Sequence, residues 1–406
     1  MKGPLSGIKV LEMSTFVAAP VCARLLADMG ADVIKVEAPN GDTWRETGIS
    51  YRYAFSEAEN PIFDIYNTGK RFVSLNLKTE EGMEAFHKLL SQSDIFITNI
   101  RVQSLRKLGI SYDDLKEKYP SLIYASVLGY GEKGPDADSP AFDTSAFWAR
   151  SGFLRDMGYA GEHYLPVTPP SSVGDTITGM FLMGEITSAL YQREKTGKGD
   201  HVRSCLYHNA IFTMGTMQII NQKSLGSFYP LPIEWSSTPP SGCYKTKDGD
   251  WVFLSGYSRR MIESFLDEVG RKDLYDSPKF DTPANRNKHR KELYDESVQI
   301  YASKTCAEWL EFAKKYDFPL IRMNHFCDLS EDEQAWANGF VENVEFANGN
   351  TRVMPRSPIH MESVTDLKTV PAKLLGADTG EVLAELGYTE EQVNAMLDSG
   401  AAKIQK

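Results

Sequence analysis

Nowhere in this 406-residue chain do cysteines pair in a C-x-x-C, so neither a zinc ribbon nor a thioredoxin-like redox site is indicated. The five cysteines, Cys22, Cys205, Cys243, Cys306 and Cys327, are odd in number and scattered. That is the pattern of reduced thiols in a cytoplasm rather than of a disulfide framework. The seven histidines are dispersed as well, and no metal site is expected. The one C-x-x-H, Cys205 and His208, lies in an apolar helical stretch, where packing explains it better. No apolar run approaches the roughly 20 residues of a membrane span, and Glu185 interrupts the helical run that follows Asp175. The first residues also lack the apolar core of a secretory signal. Positive charge is short too: 44 Lys and Arg against 55 Asp and Glu give a net charge of −11, which argues against non-specific nucleic-acid binding. A chain with these absences is expected to act on small molecules, with neither nucleic acid nor membrane as partner. Any phosphate-bearing ligand would need a local basic cluster set against the global charge.

What is present is an alternation of strand and helix. "IKVLE" (Ile8 to Glu12) reads as a strand. "APVCARLLADMG" reads as a helix with Pro20 near its first turn and Gly30 at its stop. "DVIKVE" (Asp32 to Glu37), "RFVSLNL", "DIFITNI" and "LIYASVLGY" are further apolar strands, with Thr79 capping one of the intervening helices. This order implies a doubly wound parallel sheet covered on both faces, with ligands beyond the carboxyl ends of the strands. Polar groups gather at those ends: Asn76 and Lys78, Asn99 and Arg101, Tyr130 and Lys133. A dinucleotide fold fails at the first turn, because "MSTFVAAP" has no glycine to form the G-x-G-x-x-G phosphate cradle, and nicotinamide chemistry drops to a minor alternative. A large Rossmann-like domain is expected over residues 1–200 and a linker over 201–224. A smaller α+β domain follows at 225–323, opening on a hairpin that turns at Asp248 and Gly249, with Thr305 capping a later helix. Residues 324–406 return to the large domain, with a hairpin at Asn348 and Gly349 and two helices, the second opened by a capping box at Thr389 and Gln392.

In "SSVGDTITGMF", Asp175 stands where an apolar helix begins. Aspartate is a preferred helix N-cap, so capping and catalysis both remain open from this stretch alone.

The pieces together resemble a family III (CaiB/BaiF-like) CoA-transferase. The resemblance rests on "GIKVLEMSTFVAAP…LADMGADVIKVEAPNGD", "NTGKRFVSLNLKTEEG", "SDIFITNIR", "YGEKGPD", "VGDTITGM" and "REKTGKGDHV", in the family's order over nearly the whole chain. "FDTSAFWARSG" and "EDEQAWANGF" are most similar to the branch acting on 2-hydroxy acids, such as phenyllactate and 2-hydroxyisocaproate, in amino-acid-fermenting anaerobes. The resemblance implies an interlocked homodimer, CoA thioesters as substrates and no tightly bound cofactor. It makes Asp175 the nucleophile. A helix N-terminus would favour its ionised form, and Gly174 would leave its approach path open.

The resemblance also implies CoA contacts at Val17 and Ala18, at Leu75, Asn76 and Lys78, at Asn99, Ile100 and Arg101, near Lys107, and at Phe142 and Asp143, with Arg71 and Arg106 as additions. Three features depart from relatives. Val17 is apolar where some carry a polar side chain, Ala38 replaces an arginine, and "LSGYSRR" has only one glycine where the formyl-CoA branch has a glycine-rich loop. Water exclusion is then expected from Tyr257 or from the run Phe142, Phe147 and Trp148. The rival α-methylacyl-CoA racemase activity needs a second base, and its histidine position is occupied by Phe142. A non-catalytic acyl-CoA binder would need no nucleophile at all.

Overall fold

The computed structural model describes residues 3–405 except 52, 54, 55, 163, 227, 257 and 366. The chain divides into two compact units, one of Met1–Gly152, Pro169–Gln218 and Asp332–Lys406, the other of Phe153–Thr168 and Ile219–Glu331. In the first unit six strands run parallel: β1 (Lys9–Met13), β2 (Asp32–Glu37), β3 (Arg71–Leu75), β4 (Ile95–Thr98), β5 (Ile123–Leu128) and β6 (His201–Cys205). The spatial order is β3-β2-β1-β4-β5-β6, and a two-residue strand, Ala402–Lys403, closes the β3 edge in antiparallel pairing. The order reverses between β1 and β4, so the crevice for a ligand is expected beyond their carboxyl ends.

Side chains alternate across the sheet with the period of two that a strand imposes. Val10, Ile95, Ile97 and Ile123 pack on one face with Leu26 and Leu182. Leu11, Phe96 and Tyr124 pack on the other with Phe86. Helix α1 (Ala18–Asp28) follows β1 and stops before Gly30, whose φ of 97° only glycine adopts without strain. Helix α2 (Glu80–Ser91) starts at Thr79, whose hydroxyl accepts the Gly82 N–H at 3.1 Å, and α3 (Val102–Leu108) follows β4. The long α4 (Val173–Thr196) packs on α1. The contact is close because Gly179 has no Cβ: one placed there would lie 2.2 Å from Val21 Cγ1 and 2.5 Å from the Ala18 carbonyl oxygen.

The second unit is a three-stranded antiparallel sheet of β7 (Gly242–Lys245), β8 (Trp251–Leu254) and β9 (Leu320–Arg322) with helices around it. Its core is aromatic, with Tyr244 and Tyr301 stacked at 4.4 Å and Trp309 fully buried.

The expected linker at 201–224 is corrected. Residues 201–205 are β6 and those up to Gln218 belong to the first unit, whereas 153–168 and 324–331 belong to the second. "HVRSC" escapes notice because an edge strand needs few apolar residues. The hairpin β10 (Val341–Glu345) and β11 (Thr351–Pro355) turns at Asn348 and Gly349, and the Thr389–Gln392 capping box opens the last helix.

Candidate active site

The turn from β1 into α1 does without glycine by bending at Phe16, whose φ of 63° is left-handed. Such a conformation costs a non-glycine residue about 1–2 kcal/mol, so something must hold it. The Phe16 N–H donates to Asp42 Oδ1 at 3.1 Å. One residue earlier, the Thr15 N–H donates to Asn99 Oδ1 and the Asn99 amide donates to the Thr15 carbonyl, at 3.0 and 2.6 Å. Asn99 therefore clamps the turn across the switch point, with both ends of its side chain occupied. Val17 is fully buried against Trp44, Phe63 and Phe72, which explains its apolar character.

Helix α4 brings Asp175 to this turn. The residue before the helix is Ser172, itself left-handed at φ 64°, and Asp175 is the third residue inside. Reading Asp175 as the cap is thus corrected. Its own N–H is instead accepted by Asp143 Oδ1 at 2.9 Å, and the amides of Gly174 and Ser172 also reach the Asp143 carboxylate. Asp143 serves from a distance the role that a local cap would fill.

Gly174 is needed for this approach: a Cβ there would lie 2.3 Å from Asp143 Oδ1 and 2.3 Å from Phe147 Cγ. The glycine makes room for Asp143 and Phe147, not for the incoming substrate. Burial, and then the Asp143 charge, push the half-buried Asp175 carboxyl up to about 7. Burial likewise lifts Asp143 to about 6, against the amides that stabilise its charged form. The helix terminus was expected to favour ionisation, but desolvation outweighs it. Tyr66 stands beside Ser172 and Thr176, within the field of Asp175.

Beyond the carboxyl ends of β1 to β4 lies a cavity of about 230 Å3, whose lining includes Ser14, Ala38, Leu75, Asn76, Lys78 and Ile100. Exposed Arg101, Arg106 and Lys107 follow Ile100 along α3. A larger open depression of about 810 Å3 runs along α4 past Ile177 and Gln192, but its charged groups, Glu185 and Asp200, suit no phosphate.

Of the expected contacts, Leu75, Asn76, Lys78 and Ile100 line this cavity, and Arg71, Tyr130 and Lys133 stand away from it. Arg71 opens β3, at the end of the strand opposite the cavity, and its guanidinium is held by Asp32 and Glu385 at 2.7–3.1 Å. Tyr130 and Lys133 follow β5 and do not line the cavity; Tyr130 lies under the Arg150 guanidinium. Of the aromatic run, Phe147 and Trp148 are core residues, and only Phe142 is open, 53% exposed with its ring edge-on to Phe16 at 5.3 Å. Tyr257 lies outside the described residues. The sequence reading missed the left-handed Phe16 and the buried charges at Glu12, Lys35 and Lys70. A signal existed for the latter: charged residues inside apolar strands must find partners.

A carboxyl group in the first turn of a helix, a clamped turn and a cavity flanked by cations suit a ligand that carries both an acyl group and phosphates. The chain matches the model of CoA-transferase family III over residues 5–379, and it belongs to that family. It is therefore a CoA-transferase. It is 39% identical to the (R)-2-hydroxy-4-methylpentanoate CoA-transferase of Clostridioides difficile, over 97% of this chain and 98% of the relative. It is 37% identical to the cinnamoyl-CoA:phenyllactate CoA-transferase of Clostridium sporogenes, over 96% and 95%. A crystal structure of a CAIB/BAIF family protein from Brucella suis superposes with a TM-score of 0.80 at 27% identity, covering 95% of this chain and all of that one.

Proposed function

We propose that this enzyme moves CoA from an enoyl- or acyl-CoA to a 2-hydroxy carboxylic acid, with Asp175 as nucleophile. The observation that carries the reading is the Asp175 carboxylate in the first turn of α4, fixed through its own amide by Asp143. An Asp175 oxygen attacks the donor thioester carbonyl, the C–S bond breaks, and an acyl–aspartyl anhydride forms with release of CoA thiolate. The thiolate attacks the aspartyl carbonyl and expels the donor acid as its carboxylate, leaving an aspartyl-CoA thioester. The 2-hydroxy acid carboxylate repeats the exchange: it displaces thiolate to form a second anhydride, and the thiolate then takes the substrate acyl group and frees Asp175. Every step consumes one anion and releases one. Covalent intermediates of this kind split a difficult step into easier ones.

Exposed Phe142 carries no base, which supports transfer over racemisation. The two clostridial relatives support a 2-hydroxy acid, as used in amino-acid fermentation, and a cytoplasmic homodimer goes with the same reading. The deciding experiment is a panel of acyl-CoA donors and 2-hydroxy acids scored by CoA-ester exchange, with mass spectrometry of the enzyme after acyl-CoA alone. An adduct on the peptide carrying Asp175 is expected; exchange without one would refute the covalent route.

Two further outcomes follow from the geometry. Asp143→Asn keeps an oxygen for the Asp175 N–H but removes the charge that helps raise the Asp175 carboxyl. The acid limb of the rate profile, set by Asp175 near 7 in the parent, is expected to move to lower pH; an unmoved limb would show that the two carboxyls are not coupled. Lys78→Ala or Arg101→Ala is expected to weaken binding of CoA and make the remaining affinity less sensitive to salt. Unchanged titrations in both variants would mean that the phosphates lie elsewhere.

A further inference from the structure

Four buried charges in the first unit form one connected set, of which only Asp42 lines the cavity. Glu12 and Lys35 are fully buried, and Asp42 and Lys70 nearly so. Lys35 Nζ has three oxygens around it: Glu12 Oε1 at 2.9 Å, the Ser14 carbonyl at 3.0 Å and Asp42 Oδ2 at 3.1 Å. Lys70 Nζ also has three: Glu12 Oε2 at 2.7 Å, the Pro20 carbonyl at 2.9 Å and Asn67 Oδ1 at 2.9 Å. Asp42 Oδ1 accepts the N–H groups of Phe16 and Trp44. Two ammoniums and two carboxylates thus grip Ser14, Phe16 and Pro20, which span the entire glycine-free turn. Buried ion sets of this kind add little net stability and are best attested as devices that fix one arrangement against others.

We propose that Lys70 and Lys35, with Glu12 and Asp42, are positioning residues of the exchange reaction, holding the Ser14–Pro20 turn, left-handed at Phe16, so that it presents its main chain to the CoA ester beside Asp175. This rests on the transferase reading above. The charge on Lys70 makes it sensitive to pH. The Lys70 ammonium donates to the Pro20 carbonyl and Asn67 Oδ1 and pairs by charge with Glu12 Oε2, whereas the neutral amine keeps two N–H donors, loses the ion pair and leaves Glu12 held by Lys35 alone. The charged or titratable groups around Lys70 are Glu12 from β1, Lys35 from β2, Asp42 from the loop after β2, and Cys22 and Asp28 from α1. Burial would raise Glu12, but the two ammoniums hold it near 2; burial and the Glu12 charge keep the Cys22 thiol protonated. Burial lowers Lys70 to about 8, with Lys35 acting in the same sense and Glu12 against it. A lysine depressed in the folded state adds stability as pH rises from its folded to its unfolded pKa. An alkaline fall in activity through this group is therefore a change in the turn and not unfolding.

The test compares exchange rates from pH 6 to 9.5, with melting curves, for the parent, Lys70→Met and the double variant Glu12→Gln/Lys70→Met. The double variant leaves no lone buried charge and guards against simple misfolding of the single one. The parent is expected to show an alkaline limb near pH 8 with no drop in melting temperature. The variants are expected to lose at least tenfold in kcat/KM and to have no such limb. A parent profile flat to pH 9.5 would overturn the proposal, as would a folded variant with the parent's rate or limb. The Asp175 adduct is followed in the same samples. Its absence from the parent would sink the transferase mechanism, whereas its presence with unaffected Lys70 variants would sink only the positioning role.

Discussion

Asp175→Ala or Asp175→Asn is expected to lower turnover by roughly a thousandfold or more, the scale of losing a covalent nucleophile, while the chain remains folded. The structure sharpens the stability side of this expectation. Asp175 caps nothing with its side chain, and its carboxyl is raised to about 7 by burial and by Asp143. Between the unfolded carboxyl pKa of about 3.9 and about 7, the folded protein retains a proton that the unfolded chain has released, so stability falls as pH rises through that window. The asparagine variant lacks this penalty. Its melting temperature should exceed the parent's by a margin that grows from pH 4 to 7 and then levels. Exchange at near-parental rates by Asp175→Ala would end the covalent mechanism, and a melting difference independent of pH would contradict the assigned burial.

Gly174→Ala is expected to cost about a hundredfold in rate, the scale of an ångström of misplacement at a reacting group. Overpacking should add about 1–3 kcal/mol of destabilisation. The new methyl would meet Asp143 Oδ1 and Phe147 Cγ, each at 2.3 Å, so one of them or the start of α4 must give way. The matched control is Gly184→Ala in the same helix, where a Cβ meets nothing within 4 Å. That change should leave the rate unaltered and, by helix propensity, stabilise by up to about 1 kcal/mol. Equal behaviour of the two variants would mean that the Asp143 contact does not govern the placement of Asp175.

Much of this arrangement can be read from local residue patterns. Apolar strands such as "DIFITNI" and the Thr79 cap are short-range signals, and the structure has them where they were expected. Asp175 at the start of an apolar helix was equally plain, but its supporting contact was not. The bond from Asp143 spans 32 positions, and nothing in "AFDTSAF" announces its partner. The same distance problem hid the rest. Phe16 is left-handed because Asp42 and Asn99 hold it so, against the propensity of its own residue type. Arg71 looked like a ligand because a basic residue near a strand reads the same at either end; only the parallel pairing shows that it stands at the wrong one. The strand Ala402–Lys403 is too short to carry any periodicity.

That short strand bears on how the protein is made. It pairs with Leu75 and Ser74, and the Ala401 carbonyl accepts the Asn76 N–H at 2.8 Å, at the rim of the cavity that Asn76 and Lys78 line. Chains emerge from the ribosome N-terminal end first, so β3 is exposed hundreds of residues before its partner exists. Throughout that interval a nascent chain carries an open sheet edge, the feature that recruits stray strands, and the loop bearing Lys78 has no backing. Prematurely terminated products would therefore be both unfinished at the rim of that cavity and prone to aggregate. Cellular quality control could recognise them by that bare edge well before any defect in catalysis mattered.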